Sequence, residues 1–442
     1  MRNKIKKLKG NIEFMRYFNN TSWLFFDKLF KMGVGFFVIV YLTRYLGPEL
    51  FGLLSYSQSF VNLFMAFTGL GLGTILVREL MVYPEKINIL MGTVFYLTLF
   101  SSLIAITMIF GLSGFIIDKD ESTIIILIIS FTIIFQNLNM VIDHYFQYKV
   151  LSKYMVYWST ISLFISSVIK LLLIFLETEL VYFAYALVFD SIIISIGFVY
   201  MYRSQNLSIL NWKFELDTAK KLLKVSYPLI MVGVFSVIYT RIDQIMIKHM
   251  MGNEAVGNYA AAIRVSEFFY FIPGIIVTSI FPKLVELNKN NRVEYFSLLE
   301  KIYRLVVWAS IPVAIFMHVF SDLIIGVLYG EQYILASSVL GILSWGVVFA
   351  SIGAVSVKIL YIEHYEKKYL YKSIFGVLVN VTLNYFLIPS YGINGAAIAT
   401  LVTMFSVIYI YDLFDTELRV FYYLKIKCFI PSRNLFSVLT LK

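Results

Sequence analysis

Residues 88–111 read NILMGTVFYLTLFSSLIAITMIFG, an apolar stretch without a single charged side chain. A helix needs about 20 such residues to cross about 30 Å of hydrocarbon. Eleven further stretches of similar character predict an all-α integral membrane protein with about 12 transmembrane helices. The predicted spans, numbered one to twelve in chain order, are 21–45, 52–77, 88–111, 122–145, 154–176, 180–202, 225–247, 256–282, 305–321, 333–360, 369–388 and 393–414.

The overall composition agrees with a membrane protein. The chain is 60% hydrophobic, and its mean hydropathy of +0.80 lies far above that of soluble domains. The longest predicted outside loop, around 112–121, is about ten residues long. A loop of this length leaves no room for a soluble outer domain.

The basic residues are distributed unevenly between the two sides of the membrane. Most of the 37 lysines and arginines lie in the N-terminal segment, the C-terminal tail and the even-numbered connections. Only Arg44, Lys119 and Lys248 lie in or beside the odd-numbered connections. The positive-inside rule therefore predicts that both termini are cytoplasmic. The net charge is +10, and the basic residues lie in short segments beside the spans. This distribution indicates binding to the lipid bilayer and not to nucleic acid.

Twelve spans with both ends on one side allow two six-helix bundles of the same orientation around a central cavity. The longest cytoplasmic connection separates spans six and seven, where a joint between halves is expected. The predicted organisation is an N-terminal half 1–202, a connection 203–224, a C-terminal half 225–414 and a cytoplasmic tail 415–442.

An internal repeat supports the division into halves. A shift of 205 residues places Gly47-Pro48-Glu49-Leu50-Phe51-Gly52 on Gly252-Asn253-Glu254-Ala255-Val256-Gly257. Parallel repeats of this kind are typical of transporters. Gly47 and Gly252 follow predicted helix ends, where a left-handed residue is favoured.

Ionisable residues inside the spans are the candidates for function. Each costs about 2.5–3.5 kcal/mol at the bilayer centre, so we expect it to face protein or water. Spans nine, eleven and twelve are expected to contribute no deep charge. The intramembrane charges are Asp27, Lys28, Lys31, Lys170, Asp190, Arg241, Asp243, Arg264, Glu267 and Lys358.

Two of the arginines are predicted to lie at the same depth. Arg241 in span seven and Arg264 in span eight each lie about 10 Å from the outer end of their helix, and the two helices are consecutive and antiparallel. Asp243 and Glu267 lie within about a turn of them. In span one, Asp27 and Lys31 are spaced i,i+4 with the acid first, the favourable order for an ion pair.

Two interpretations of these charges remain open. In one, neutralised ion pairs hold the helices together, with Arg264 paired to Glu267 and Arg241 to a neighbouring acid. In the other, a wet cavity with a cationic lining accepts an anionic substrate, because the planar guanidinium donates two parallel hydrogen bonds to a phosphate.

Several classes of site lack their signatures. No Walker A pattern is present, the four histidines lack zinc-ligand spacing, and Cys428 is the only cysteine. We therefore expect no catalytic residues, no metal and no cofactor, and the protein is not expected to be an enzyme.

The motifs resemble those of a known family. Tyr45-Leu46-Gly47-Pro48-Glu49-Leu50-Phe51-Gly52 resembles the LGP-x-x-[FY]-G signature of Wzx-type polysaccharide flippases, which belong to the multidrug/oligosaccharidyl-lipid/polysaccharide exporter superfamily. Further matches are Gly69-Leu70-Gly71 with Arg78-Glu79, Arg241-Ile242-Asp243, Leu328-Tyr329-Gly330-Glu331-Gln332-Tyr333 and Tyr391-Gly392-Ile393-Asn394-Gly395-Ala396-Ala397.

The resemblance implies an alternating-access flippase of the bacterial inner membrane. Its substrate would be an undecaprenyl-diphosphate-linked oligosaccharide repeat unit for O-antigen, lipopolysaccharide or another surface polysaccharide. A polysaccharide polymerase and a chain-length regulator would be partners. The expected substrate-binding residues are Arg241, Arg264, Lys28 and Lys31. The expected residues for proton or sodium coupling are Asp243, Glu267 and Asp27.

Two alternatives stay open at this point. A cation-coupled multidrug exporter would share the fold, although its cavity is expected to be acidic or apolar. A membrane-embedded glycan polymerase or acyltransferase would need larger outside loops or a catalytic histidine in the membrane.

Overall fold

The computed structural model describes residues 12–113 and 121–430, apart from the side chains of 12–22, 24–28, 113, 271, 272, 275, 278, 279 and 282. The described residues are helical, with short connections and no strand among them. This confirms the predicted all-α class.

The helices follow one another closely along the chain. The first seven are α1 (Ile12–Thr68), α2 (Leu72–Val82), α3 (Ile87–Ser113), α4 (Glu121–Ser130), α5 (Thr132–Tyr148), α6 (Lys153–Phe175) and α7 (Leu180–Ser204). The next six are α8 (Leu216–Met251), α9 (Asn253–Phe269), α10 (Phe271–Asn290), α11 (Arg292–Val319), α12 (Ser321–Tyr329) and α13 (Ile334–Leu343). The last four are α14 (Gly346–Ile362), α15 (Glu366–Phe405), α16 (Tyr411–Phe414) and α17 (Arg419–Lys427). A π-helix, Ser406–Ile410, joins α15 to α16.

Eight helical segments of the described chain are long and apolar enough to cross a membrane, or nine with a pair bent by 49°. The protein is therefore a multi-pass membrane protein. The twelve predicted spans do not correspond one to one to these segments. Two segments, Leu29–Val82 and Glu366–Phe414, have 54 and 49 residues, far more than one crossing needs. Each is interrupted by a glycine with non-helical backbone, Gly47 in α1 and Gly392 in α15.

Predicted span eight is divided between α9 and α10, which meet at Tyr270. The break lies three residues before Pro273. A proline cannot donate to the carbonyl four residues earlier, and its ring crowds that turn. Pro273 is therefore a clear local cause of the interruption.

The chain forms two compact units. The first comprises residues up to 45 together with 60–234, and the second comprises 46–59 together with 235 onward. In the first unit, the predicted connection 203–224 packs on α3, where the Lys213 amide donates to the Asn88 carbonyl at 3.0 Å. Trp212 is buried there and donates to the Tyr202 hydroxyl at 3.0 Å.

The second unit contains both copies of the repeated motif, and they contact each other reciprocally. A Cβ atom on Gly52 would lie 1.8 Å from the Asn253 carbonyl oxygen, and one on Gly257 would lie 1.8 Å from the Pro48 carbonyl oxygen. The 205-residue shift relates these two contacts to each other. Only glycine permits so close an approach of two backbones. Gly47 and Gly252 have φ of 69° and 91°, as their predicted place after helix ends requires.

Candidate functional site

Both predicted arginines lie in one cluster of the second unit. Arg241 on α8 pairs with Glu267 on α9 at 3.7 Å, and their side chains are 24% and 36% exposed. Arg264 on α9 donates to the Gln58 amide oxygen at 3.4 Å and interacts electrostatically with Arg241 and Glu267. The structure therefore places two cations around one acid, so this cluster carries a net charge of +1.

Asp243, one helical turn from this cluster, lies in a different environment. Its carboxylate is 4% exposed and accepts hydrogen bonds from three neutral side chains. Tyr259 and Thr400 donate to Oδ2, both at 2.7 Å, and Asn384 donates to Oδ1 at 2.6 Å. The sequence placed Asp243 within a turn of a base, but the partners that the structure shows are uncharged groups of α9 and α15.

The two predicted coupling acids of the second unit line one small cavity. This cavity, which we call the aspartate cavity, has a volume of about 70 Å³ and contains Asp243 and Glu267 in its wall. Hydroxyl groups of Tyr239, Thr240 and Thr400 complete much of the polar lining. The space fits a small ion and a water molecule, since one water occupies about 30 Å³.

Sequence reasoning missed the residues that surround Asp243. Tyr259 and Thr400 are ordinary members of their helices, but Asn380 and Asn384 carried a usable signal. They are spaced i,i+4 in apolar span eleven, both are completely buried, and Asn384 donates to Asn380 at 3.0 Å. Amides at such positions must find polar partners inside the protein.

Lys31 belongs to the first unit. It lines a cavity of about 350 Å³ together with Gln136, Asn139 and Asp143 of α5. The side chains of Asp27 and Lys28, which the sequence assigned to coupling and substrate binding, lie outside the described residues. In the same unit, the predicted intramembrane charges Lys170 and Asp190 pair with each other at 2.5 Å.

A second charged cluster joins the ends of predicted spans eleven and twelve, which were expected to contribute no deep charge. The Asp412 carboxylate, 2% exposed, accepts from Lys372 of α15 at 2.5 Å and also from Lys425 of α17. The side chains of Lys372 and Lys425 are 5% and 1% exposed. These residues lie at or beyond predicted span ends, where lysine is usually a solvated flank. Here α17 covers them.

No group of three or more histidine, cysteine, aspartate or glutamate side chains within 12–113 and 121–430 is arranged to hold a metal ion.

Comparison with known proteins agrees with this architecture. The polysaccharide biosynthesis protein family matches residues 41–338, more than half of the chain. Among curated relatives, a probable low-salt glycan biosynthesis flippase of Haloferax volcanii, Agl15, is 26% identical over 42% of this chain and 40% of its own length. The chain thus spans less than half the length of this relative. The capsular polysaccharide biosynthesis protein CapF of Staphylococcus aureus is 22% identical over 89% of this chain and 98% of its own length.

Solved structures give the same fold. A lipid II flippase, MurJ, in an inward closed conformation has a TM-score of 0.71 at 18% identity, and the match covers 96% of this chain and 95% of MurJ. An inward-facing multidrug resistance transporter of the same superfamily has a TM-score of 0.68 at 14% identity, covering 88% and 95%. These likenesses and the matched family confirm the resemblance that the motifs predicted. The chain belongs to the polysaccharide biosynthesis protein family and has the fold of the superfamily that contains MurJ and the multidrug exporters.

Proposed function

We propose that the protein is a flippase that moves an undecaprenyl-diphosphate-linked oligosaccharide repeat unit from the cytoplasmic to the outer leaflet of the bacterial inner membrane. The product would serve O-antigen or another surface polysaccharide, and the protein would work by alternating access without catalysing a reaction. A polymerase and a chain-length regulator would act after it.

The observation that carries this proposal is the cluster of Arg241, Arg264 and Glu267. One acid neutralises only one of two guanidinium groups, and the partial exposure of Arg241 and Glu267 leaves the cluster within reach of a ligand. Guanidinium groups bind phosphate oxygens through paired hydrogen bonds. A diphosphate would therefore supply the missing negative charge. A probable glycan biosynthesis flippase and a second probable flippase among the relatives support this choice of substrate class.

Deletion of the gene and complementation with variants test the proposal. A deletion should leave the lipid-linked repeat unit assembled but confined to the cytoplasmic leaflet, with surface polysaccharide lost. Arg241→Lys and Arg264→Lys should complement poorly, because an ammonium cannot donate the two parallel hydrogen bonds. Arg292→Lys is the matched control, since Arg292 pairs with Glu363 at 2.8 Å on the exposed surface. Full surface polysaccharide with alanine at both positions 241 and 264 would rule out the phosphate site.

We also propose that a proton or a sodium ion drives transport through Asp243. A small cation in the aspartate cavity would meet the Asp243 carboxylate and the hydroxyl of Thr400 in its wall, which are hard oxygen ligands of the kind that such ions prefer. Glu267 faces the same space and would respond to the ion through its pair with Arg241.

A multidrug exporter is the second candidate, because acids such as Asp243 and Glu267 would suit cationic drugs. The volume of the aspartate cavity argues against a drug-binding site there. It holds about 70 Å³, whereas pockets for drug-sized ligands have about 300 Å³ or more. The cavity therefore fits a coupling ion better than a transported drug.

The orientation belongs to the same proposal, with both termini cytoplasmic and 112–121 outside. Cys428 is buried, so its failure to react would say nothing about sides. In a Cys428→Ser background, a cysteine at Ser113 should react with an impermeant reagent from outside. A cysteine at exposed Lys289 should react only after the membrane is opened. The opposite pattern would reverse the orientation.

A further inference from the structure

A stripe of polar side chains on α8 leads away from Asp243. Ser236, Tyr239, Thr240 and Asp243 follow the spacing of one helix face. The facing half of α15 carries Lys372, Ser373, Gly376, Asn380 and Asn384 at the same periodicity. At 1.5 Å per residue, the α15 stripe is about 18 Å long. Polar groups thus line two sides of one path through the second unit.

The path contains two neighbouring cavities. Besides the aspartate cavity, the second unit holds a cavity of about 200 Å³ that we call the lysine cavity, because Lys372 lies in its wall. Tyr239, Thr240 and Met404 line both cavities. These three side chains therefore lie between the two spaces.

Lys372 in the wall of the lysine cavity belongs to a buried cluster with Asp412 and Lys425, which we call the triad. Asp412 contacts both ammonium groups, and each of the three side chains is at most 5% exposed. Two lysines and one aspartate leave a net charge of +1. The Lys170–Asp190 pair in the first unit shows that one lysine suffices to neutralise one membrane-embedded aspartate. Neutralisation alone therefore does not explain the second lysine.

The C-terminal helix α17 is built into the fold in a way that holds Lys425 in the triad. Leu418, Phe421 and Cys428 are buried in the core of the second unit. Lys425 also donates to the Ile408 carbonyl at 3.3 Å. Ile408 belongs to the π-helix Ser406–Ile410 and lines the lysine cavity. A π-helix is rare and is frequently found at functional sites.

A buried excess charge has a long-range effect on ions. The field of a net positive group is screened weakly in a low-dielectric interior, so it repels any cation that approaches. We propose that the triad is an electrostatic barrier that closes the path at the Lys372 end, so that the coupling cation cannot leak past Asp243 when no substrate moves. This inference rests on the proposed coupling at Asp243.

Passive cation flux through the purified full-length protein tests the barrier. The protein is reconstituted in vesicles that contain a fluorescent pH or sodium indicator, and a proton or sodium gradient is applied with no lipid-linked substrate present. Lys425→Met and Lys372→Met each keep side-chain length and remove the excess charge. Each should raise the flux about tenfold, since one unit charge is removed at close range. Lys425→Arg keeps the charge and should keep the flux low.

Three further variants make the result decisive. Asp243→Asn combined with Lys425→Met should return the flux to the wild-type level, because the leak is proposed to pass Asp243. Lys170→Met is the matched control and should leave the flux unchanged, since its pair lies in the first unit. Gel filtration and thermal melting confirm that each variant is folded.

Several outcomes would overturn the barrier. They are wild-type flux in both methionine variants, an equal rise with Lys425→Arg, or a leak that persists with Asp243→Asn. Failure of the proposed function would give a different result. Wild-type vesicles would then not translocate a lipid-linked oligosaccharide under any gradient, whereas the flux measurement uses no such substrate.

Discussion

Two aspartates of the second unit, Asp243 and Asp412, are buried almost equally but in opposite chemical surroundings. Asp243 accepts from Tyr259, Thr400 and Asn384, all neutral. Asp412 contacts two lysines. Their exposed fractions are 4% and 2%, so burial does not distinguish the two.

The difference teaches that the net charge of a buried cluster, rather than the burial of its acid, decides what the cluster can do. Hydrogen bonds from neutral donors stabilise a carboxylate but leave its negative charge available to a cation. Two ammonium groups remove that charge and add one of opposite sign. Asp243 therefore suits ion binding, and Asp412 suits structure and repulsion of cations.

Replacement of Asp412 should have the largest effect. Asp412→Asn leaves two buried ammonium groups without a counter-charge, and we expect a loss of about 3–5 kcal/mol in stability. Thermal unfolding of the solubilised protein and its yield in the membrane measure the loss. Asp190→Asn is the matched control and should cost less, because only one half-buried lysine, Lys170, is left unpaired. Equal losses of stability in Asp412→Asn and Asp190→Asn would show that the second lysine adds no electrostatic cost.

Asp243→Asn should affect transport more than stability. The amide has the same shape, and its oxygen can still accept from Tyr259 and Thr400. Its NH2 group replaces the oxygen that accepts from Asn384, so a modest loss of stability is expected. Transport in vesicles should fall by about tenfold or more and lose its dependence on the cation gradient, since removal of the charge costs the ion its main ligand. A variant that keeps the wild-type cation dependence would show that Asp243 is not the coupling site.

Loss of one neutral donor should give a smaller effect at the same site. Tyr259→Phe removes a single hydrogen bond to Asp243, worth about 1.5–3 kcal/mol for a charged acceptor. We expect a modest loss of stability and a changed cation concentration for half-maximal transport. Tyr303→Phe is the control, because Tyr303 bonds to the neutral Ser356 at 3.0 Å. It should leave the cation dependence as in the wild type.

The smallest expected effect is a shallow dependence of stability on pH. Burial and repulsion by Lys372, opposed by Asp412, lower the pKa of Lys425 from 10.5 to about 8. Between these values Lys425 binds more protons in the unfolded chain than in the folded chain, so its contribution to stability should rise as pH increases from about 8 to 10.5. Burial raises the pKa of Cys428 from 9.0 to about 12, so the contribution of this thiol falls above about pH 9 and the net rise is expected between about pH 8 and 9.

Chemical denaturation across this pH range measures the dependence, and Lys425→Met should flatten it. An unchanged slope in that variant would assign the dependence to another group. The charged or titratable groups that act on Lys425 are Lys372, Asp412 and Cys428.

Much of the fold was predictable from local sequence. Stretches such as 88–111 predict membrane helices, and Gly47 marks the turn after span one by the need for a positive φ. The similar depth of Arg241 and Glu267 also followed from helical rise on consecutive helices, but the sequence paired Glu267 with Arg264, whereas the structure pairs it with Arg241. The twelve predicted spans do not appear as twelve separate helices, because consecutive spans remain joined in long helices that are kinked at a glycine.

The partners of the two buried aspartates were not predictable in the same way. Asp243 meets Asn384 and Thr400, which are 141 and 157 positions away, and Asp412 meets Lys372 across 40 positions. Nothing in a helical period relates residues on separate helices at such distances. The burial of Lys425 was not predictable for the same reason, because only the packing of α17 takes it out of water.

The sequence by itself determined that this chain is a multi-pass helical membrane protein with charges at particular depths. It could do so because backbone groups in hydrocarbon must be satisfied within their own helix, which makes each span a local property. Tertiary structure decided which charges remain in excess. They are +1 at the cluster of Arg241, Arg264 and Glu267, a carboxylate held by neutral donors at Asp243, and +1 at the triad. The net charge of a buried cluster depends on which helices pack together, and the sequence of a single helix does not determine this.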